Sequence, residues 1–304
     1  IQPTLTNLLT GKKLMKLSVI IPTYERGEVL LDTIESLQRL MTPEFELLVI
    51  DQTLNHAVTI ESRLNSLAEQ GAIRWVRLPQ PSIPMAMNRG ILEAKGEIVL
   101  FLDDDIIPHE DLLQAHQQAH QQADLVAGQV LQPGEKSLTL QPGEPFRFTS
   151  NIPRQITEFM GGNFSIKRTV AIALGGFDEN FIGAAYRYEA EFAHRYCQKY
   201  GLITYEPKAL IHHLRVERGG TRSYGHHLRT AQPAHAVGAY YYLLKSKPNG
   251  WLWQILWRPL RSIRTKHHIT HPWWIFPTLI AEARGLSLAI HKISQGPSYP
   301  IVFR

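Results

Sequence analysis

The run GEIVLFLDDDIIP, Gly96 to Pro108, constrains this chain most, because an unbroken apolar segment stops abruptly on three consecutive carboxylates. Ile98 to Leu102 is short, β-branched or bulky throughout and bounded by a glycine and the acids, which reads as a strand buried on both faces. Such a strand belongs to an α/β sheet, and its carboxyl end opens into the crevice where these sheets bind ligands. Asp103, Asp104 and Asp105 cannot all ionise there without a counter-charge or raised pKa values. Two readings follow. A hard divalent cation, Mg2+ or Mn2+, would supply the charge and sit between the carboxylates and a substrate's phosphates. Alternatively, the acids form a turn that ends the strand and caps the helix opening near Pro108 through Asp104 or Asp105.

The flanking sequence alternates strand and helix. Lys16 to Ile21 reads as a strand ending in the turn Pro22-Thr23-Tyr24, and Val29 to Leu40 as a helix with Leu30, Ile34, Leu37 and Leu40 on one face. Phe45 to Ile50 is a second strand stopped by Asp51, Val58 to Gln70 a helix ended by Gly71, and Ile73 to Leu78 a third strand. Pro79, Pro81 and Pro84 then predict an extended connection, and Met85 to Ala94 a short helix. This order implies right-handed crossovers and a mainly parallel sheet with flanking helices. Neither G-x-G-x-x-G nor G-x-x-x-x-G-K-[ST] occurs, so dinucleotide and P-loop chemistry have no support. Asp51 and the Asp103 cluster, both at strand ends, suit a nucleoside diphosphate, one accepting from base or ribose and the other holding a metal on the pyrophosphate.

Beyond the acids, His109 to Gln122 reads as a polar helix, Asp124 to Val130 as a strand, and Gln132 to Arg154 as a Pro- and Gly-rich loop marking an internal boundary. Paired glycines precede a short strand in Glu158 to Arg168, and Tyr186 to Tyr200 forms a helix closed by Gly201. On that helix Glu191 stands four residues before Arg195, the spacing of a structural ion pair, whereas Glu189 faces Phe192 and Ala193 and is the freer acid.

The net charge of +5 is uneven: after Arg215 the acids are Glu217 and Glu282 alone. That asymmetry points to an anionic partner, a membrane or a phosphate-rich substrate; no nucleic-acid motif accompanies it. The single cysteine, Cys197, excludes an internal disulfide and fits a reducing cytoplasm. Residues 1–15 lack a long apolar core and read as a loose extension. From about residue 231, Trp, Tyr and aliphatics mix with Arg, Lys and His, with no run of the ~18 apolar residues a spanning helix needs. Two alternatives stay open for this helical region: contact with the inner face of a membrane, or packing on the core or a second subunit.

LSVIIPTYER, LLVIDQT, MNRGILEAKGEIVLFLDDDI, GGNFSIKR, GGFDENF and YRYEAEFAHRYCQKYG followed by EPKALIHHL resemble, in order, the family 2 glycosyltransferases of GT-A fold, from about Lys16 to about Arg222. The resemblance implies a catalytic domain over 16–230, with a nucleotide half at 16–131 and an acceptor half at 150–230. It implies inverting transfer of a sugar from a nucleotide-diphosphate donor to a glycan or lipid-linked acceptor hydroxyl, in cell-envelope polysaccharide or glycolipid synthesis. By position, Pro22, Thr23, Tyr24, Glu25, Arg26 and Asp51 hold the nucleoside, Asp103 and Asp105 form the D-x-D motif, and Asn88 and Asn163 line the donor site. His213 completes the metal shell, Arg222 reaches the diphosphate from a basic Gly-Gly turn, and Glu189 is the base. Two departures stand out: Tyr188-Glu189 replaces the family's Glu-Asp pair, and Met87 its Arg. On an extended backbone Asp103 and Asp105 share a face, leaving Asp104 to cap or to touch the ribose. Opposed to an enzyme stands a non-catalytic nucleotide-sugar or glycan-binding scaffold; a third reading, nucleotidyl transfer, lacks its glycine- and lysine-rich start motif.

Overall fold

Residues at alternating positions of the first strands enter two different cores, and this period of two builds the sheet. In the computed structural model, which describes residues 15–42, 44–141 and 143–301, β1 (Leu17–Thr23), β2 (Phe45–Asp51), β3 (Arg74–Arg77) and β4 (Ile98–Leu102) run parallel in the order β3-β2-β1-β4. Ile98, Leu100 and Leu102 join one core with Val19 and Ile21, while Val99 and Phe101 join the other with Ile20 and Ile50. All five residues of β4 are buried, as its sequence predicts. The helices α1 (Glu28–Gln38), α2 (Val58–Glu69) and α3 (Ile83–Glu93) connect these strands. Pro84 lies inside the first turn of α3, not in the extended connection expected for it, because a helix start leaves the proline's missing N–H without consequence.

The sheet then becomes mixed. β5 (Ile106–Pro108) follows the acids, and α4 (Leu112–Ala119) follows β5. β6 (Leu125–Leu131), β7 (Arg154–Ile156), β8 (Asn163–Lys167), α5 (Arg168–Ala173), α6 (Tyr188–Tyr200) and β9 (Ile203–His213) complete the layer. The order continues β4-β8-β6-β9-β5, with β7 also on β9; β8 is antiparallel to β4 and β6, and β5 to β9. The expected polar helix α4 is shorter than its sequence suggests and buries His116, with His120 just beyond it. The long loop folds back on β6 and β9: Val130 N–H donates to Phe148 O, and the Tyr205 hydroxyl to Ser150 O.

The last helices are α7 (Ala236–Ser246), α8 (Trp251–Ile263), α9 (Lys266–Thr270) and α10 (Ile275–Gln295). Tyr240 and Tyr241 of α7 are buried, and Gly285 lets α10 cross α7 so closely that a Cβ there would meet Ala236 Cβ at 2.6 Å. By contrast α8 exposes Leu252, Trp253, Leu256, Trp257 and Leu260 along one face. Among the described residues no helix is long and apolar enough to cross a membrane. Residues 1–14 lie outside those described.

A buried ionic network joins α7 to the sheet. Arg195 grips both oxygens of Glu191 at 2.7 and 2.9 Å, as the i,i+4 spacing predicts, and Lys245 Nζ lies 2.8 Å from Glu191 and against Asp178. Glu191 is 1% exposed, so removing it leaves partly buried Arg195 without a carboxylate and Lys245 with Asp178 alone. Glu191→Ala is expected to lower the unfolding free energy by about 3 kcal/mol or more in urea titrations.

Candidate active site

Asp103, Asp104 and Asp105 leave the end of β4 and diverge. Asp104 turns inward: its Oδ2 accepts the Thr23 hydroxyl at 2.7 Å, its Oδ1 lies 3.0 Å from Arg26 Nε, and Thr33 Oγ1 donates to its carbonyl. Burial pushes its carboxyl up to about 7, against the pull of Arg26 and Thr23. It therefore caps no helix. Asp111 precedes α4 instead, without a side-chain cap.

Asp103 and Asp105 face His213 at the end of β9. The pairing of Ile106 with His213 sets this, and leaves His212 exposed on the other face. His213 Nε2 lies 3.0 Å from Asp105 Oδ1 and 3.7 Å from Asp103 Oδ2, and its Nδ1 is 2.9 Å from Gln132 Oε1. Burial raises the Asp105 pKa, yet His213, Arg26 and the Val216 amide outweigh it and hold the carboxyl below its usual value. One coordinating atom from each of Asp103, Asp105 and His213 falls within 4.8 Å of the others. Asp105 Oδ1 is buried and accepts no well-aligned hydrogen bond. Two carboxylates, one imidazole and an under-satisfied oxygen form a donor set that fits Mg2+ or Mn2+.

The paired glycines are needed by these acids. A Cβ on Gly162 would fall 1.9 Å from Asp103 Oδ2, and one on Gly161 would fall 2.1 Å from the Tyr188 hydroxyl. Asp103 N–H also donates to Gly162 O. Burial first, then the charges of Glu189 and Asp103, keeps the Tyr188 phenol neutral.

A crevice of about 180 Å3 opens here, lined by Pro22, Thr23, Tyr24 and Arg26, the three aspartates, His213 and several residues absent from the sequence expectation, Gln52, Ser82, Tyr188 and Tyr224 among them. Small-molecule sites usually span about 300–1,000 Å3. The segment 214–224 narrows this one: Gly220 N–H donates to Tyr24 O at 2.7 Å, the Ser223 hydroxyl to Glu25 Oε2 at 2.9 Å, and Arg26 to the Val216 and Arg218 carbonyls. Glu25 thus serves this latch rather than the crevice wall. Arg222 belongs to the 3-10 turn Gly220–Tyr224, and its side chain lies outside the described ones.

Glu25, Glu189 and three further expected site residues are not among those lining the crevice. Asn163 is fully buried, its amide donating to Gln129 O and Ala209 O and its carbonyl 2.9 Å from His116 Nε2. Asn88 is clamped by the Phe177 backbone on both sides and by Glu179. Asp51 is buried with Oδ1 on Thr53 N–H and Oδ2 on His56 and the Trp75 indole. The partners of Asn163 and Asn88 are distant in sequence, whereas Asp51 is held by the nearby Thr53 and His56 as well as by Trp75.

Glu189 opens α6 after a constrained entry in which Ala185 (φ 50°) and Arg187 (φ 74°) hold left-handed conformations. Burial, with the charges of Glu158 and Asp103 behind it, raises its carboxyl to about 7; its own N–H and Arg187 oppose the rise.

A mixed α/β sheet whose strand ends meet an acidic, metal-suited crevice is the arrangement expected of a GT-A fold. The family model Glycosyl transferase family 2 matches residues 18–183, more than half of the chain, and the chain belongs to that family. It is 35% identical over 104 residues to the poly(ribitol-phosphate) beta-N-acetylglucosaminyltransferase TarP of Staphylococcus aureus, covering 33% of this chain and 31% of TarP. It is 32% identical over 109 residues to the uncharacterized glycosyltransferase YfnE of Bacillus subtilis, covering 35% and 27% of the two chains. These matches span about a third of the relatives' length. The fold resembles the mannosyltransferase PcManGT of Pyrobaculum calidifontis in complex with GDP-Man and Mn2+ (TM-score 0.54, 19% identity, 95% of this chain and 78% of the other). It also resembles S. aureus TarS 1-349 in complex with UDP-GlcNAc (TM-score 0.53, 15% identity, 94% and 93%).

Asp104 and Arg26 are each 8% exposed at the side chain. Asp104→Ala leaves Arg26 with Asp105, 3.5 Å away, as its remaining carboxylate partner. A stability loss of about 3 kcal/mol follows, readable by urea denaturation.

Proposed function

We propose that the chain transfers a sugar, with inversion, from a nucleoside-diphosphate donor to an acceptor hydroxyl, in cell-envelope polysaccharide or glycolipid synthesis. The observation that carries this reading is the convergence of Asp103, Asp105 and His213 on one crevice, beside a glutamate whose pKa is near neutrality. Neighbours of the same fold, in complex with GDP-Man and Mn2+ or with UDP-GlcNAc, support the donor class. Asp103, Asp105 and His213 would hold the divalent ion, Mg2+ or Mn2+, whose charge when bound stabilises the departing diphosphate. Thr23, Tyr24 and Arg26 would meet the nucleoside once the 214–224 segment shifts, and Arg222 on that segment would reach the diphosphate. Asp51, Asn88 and Asn163 act as positioning residues, fixing β2, the Phe177 loop and the start of β8.

Glu189 is assigned as the general base that takes the acceptor's proton. A carboxyl whose pKa is raised to about 7 keeps its proton below that pH and cannot take another. Turnover therefore rises as pH climbs through 7 and is lost as it falls. Assays of UDP-, GDP- and dTDP-sugars with Mn2+ test this. Glu189→Gln should cost on the order of 10²–10⁴ in kcat and flatten the acidic limb. Chelation, Asp105→Ala or Gly162→Ala should each remove metal-dependent turnover. No hydrolysis or transfer with any donor would leave the binding-scaffold reading in its place.

The exposed α8 face, ringed by Lys247, Arg264 and Lys266, supports peripheral contact with the inner face of an anionic membrane. Vesicles containing phosphatidylserine should float the full chain in a density gradient, and a Trp253→Ser/Trp257→Ser variant should stay at the bottom. A wild-type chain that stays at the bottom too would sink this assignment.

A further inference from the structure

A second and larger cavity, of about 720 Å3, lies between the entry of α6, the 227–235 segment, α7, α8 and α10. Its volume is in the range of small-molecule sites. One wall is Tyr186 and Arg187, the residues just before the Tyr188 that lines the donor crevice. The left-handed turn at 185–187 is thus a partition with a cavity on each side, and Glu189 follows it directly. Glu189 feels the charge of Asp103 from the crevice and those of Arg187 and Glu158 from the cavity.

The polar lining is unbalanced. Arg258 is matched, with Nε 3.0 Å from Glu282 Oε2 and its guanidinium over the Tyr240 ring. Arg187 has no ion pair or hydrogen bond among the described residues, and its guanidinium lies over the Tyr186 ring at 5.3 Å. Arg261 has no ion pair among them and makes one long bond, 3.5 Å, to Gln254 O. The remaining acid, Glu158, is exposed at the rim. His227 and His235 also face the space; burial first, then neighbouring imidazoles, lowers their pKa, so both are uncharged at neutral pH, and His235 gives its one N–H to the Gly225 carbonyl at 3.1 Å. Arginines without carboxylate partners in a concave site match phosphate, which they bind by paired N–H donors.

We propose that this cavity is the acceptor site and that it takes an acceptor carrying a phosphate monoester or diester, held by Arg187 and Arg261, with the reacting hydroxyl turned toward Glu189. This rests on the transferase reading above. The phosphate could belong to a water-soluble polyol phosphate or to a lipid headgroup, and the two are separable.

Titration calorimetry on the full chain without metal or nucleotide, using sn-glycerol 3-phosphate, monomeric dihexanoyl phosphatidic acid, and glycerol as the uncharged control, provides the test. At least one phosphate should bind and glycerol should not; which phosphate binds more tightly identifies the source. Arg187→Ala and Arg261→Ala should each weaken binding tenfold or more, and Arg261→Lys should restore part of it. Arg261 is solvent-exposed, so melting curves of its variants should match the wild type and separate lost binding from lost folding. Binding of neither phosphate, or binding that both alanine variants leave unchanged, would overturn the assignment. The probes need no donor, so a chain inactive with every nucleotide sugar yet binding phosphate through these arginines would sink the transferase reading and leave the anion site standing.

Discussion

Three adjacent carboxylates at the end of a doubly buried strand are the constraint to which the rest of this site answers. Like charges so close cannot share one dry environment, so the fold gives each a different one. Asp104 goes inward to Arg26 and Thr23, which ties the first βα turn to the fourth strand. Asp105 is held by His213 and the Val216 amide, which ties the strand end to β9 and to the segment after it. Asp103, half-exposed, faces the crevice, and its carboxylate fits only because Gly162 has no side chain. The local charge problem is therefore solved by contacts that also set the crevice's walls.

The far side of β8 carries a supporting device made of neutral groups. His116 bridges Asn163 and Ser165, and Ser165 passes on to His120, whose other nitrogen meets the Ala123 carbonyl. Burial lowers both imidazoles, to about 4 and about 3, so the chain of bonds stays uncharged at neutral pH. Three protons serve these four contacts, so one of them is not a hydrogen bond; the other three tie β8 to α4 and its end and support the Gly161-Gly162 approach to Asp103 and Tyr188.

How far the sequence carried the reading depends on the range of the interactions concerned. The parallel strands and their helices were legible within a few residues, because a buried β-branched run and a 3.6-residue apolar period are local signals. The meeting of Asp103, Asp105 and His213 was anticipated as well, the acids from their spacing of two and His213 from the family pattern. Asn88, Asn163 and Asp51 were read as ligand contacts and are instead occupied within the protein. Nothing local distinguishes the two asparagines: Asn163 meets His116, Gln129 and Ala209, all far away in sequence, whereas two partners of Asp51, Thr53 and His56, lie close by. Pro84 illustrates the same limit at short range, since a proline that breaks a helix interior is equally at home in its first turn. Composition likewise left the aromatic carboxyl-terminal region undivided, whereas the structure separates the buried tyrosines of α7 from the exposed tryptophans of α8.

The entry to α6 gathers these strands of argument. Ala185 and Arg187 adopt backbone conformations that non-glycine residues rarely hold, and such strain persists only where the surroundings over-determine it. The surroundings here are evident: Gly238 of α7 approaches so closely that a Cβ would meet Tyr186 O at 2.3 Å, and Gly161 admits the Tyr188 ring from the other side. Glu191, one turn along, is fixed by Arg195 and Lys245. Glu189 is thus set on a helix whose start and first turn are both immobilised, between a crevice of carboxylates and a cavity of arginines. A carboxyl in that position is pushed toward neutrality by burial, by Glu158 on the cavity side and by Asp103 on the crevice side, and drawn back by its own N–H and by Arg187. Its charge state is consequently a joint property of the two cavities, which is the electrostatic condition a base serving both would have to meet.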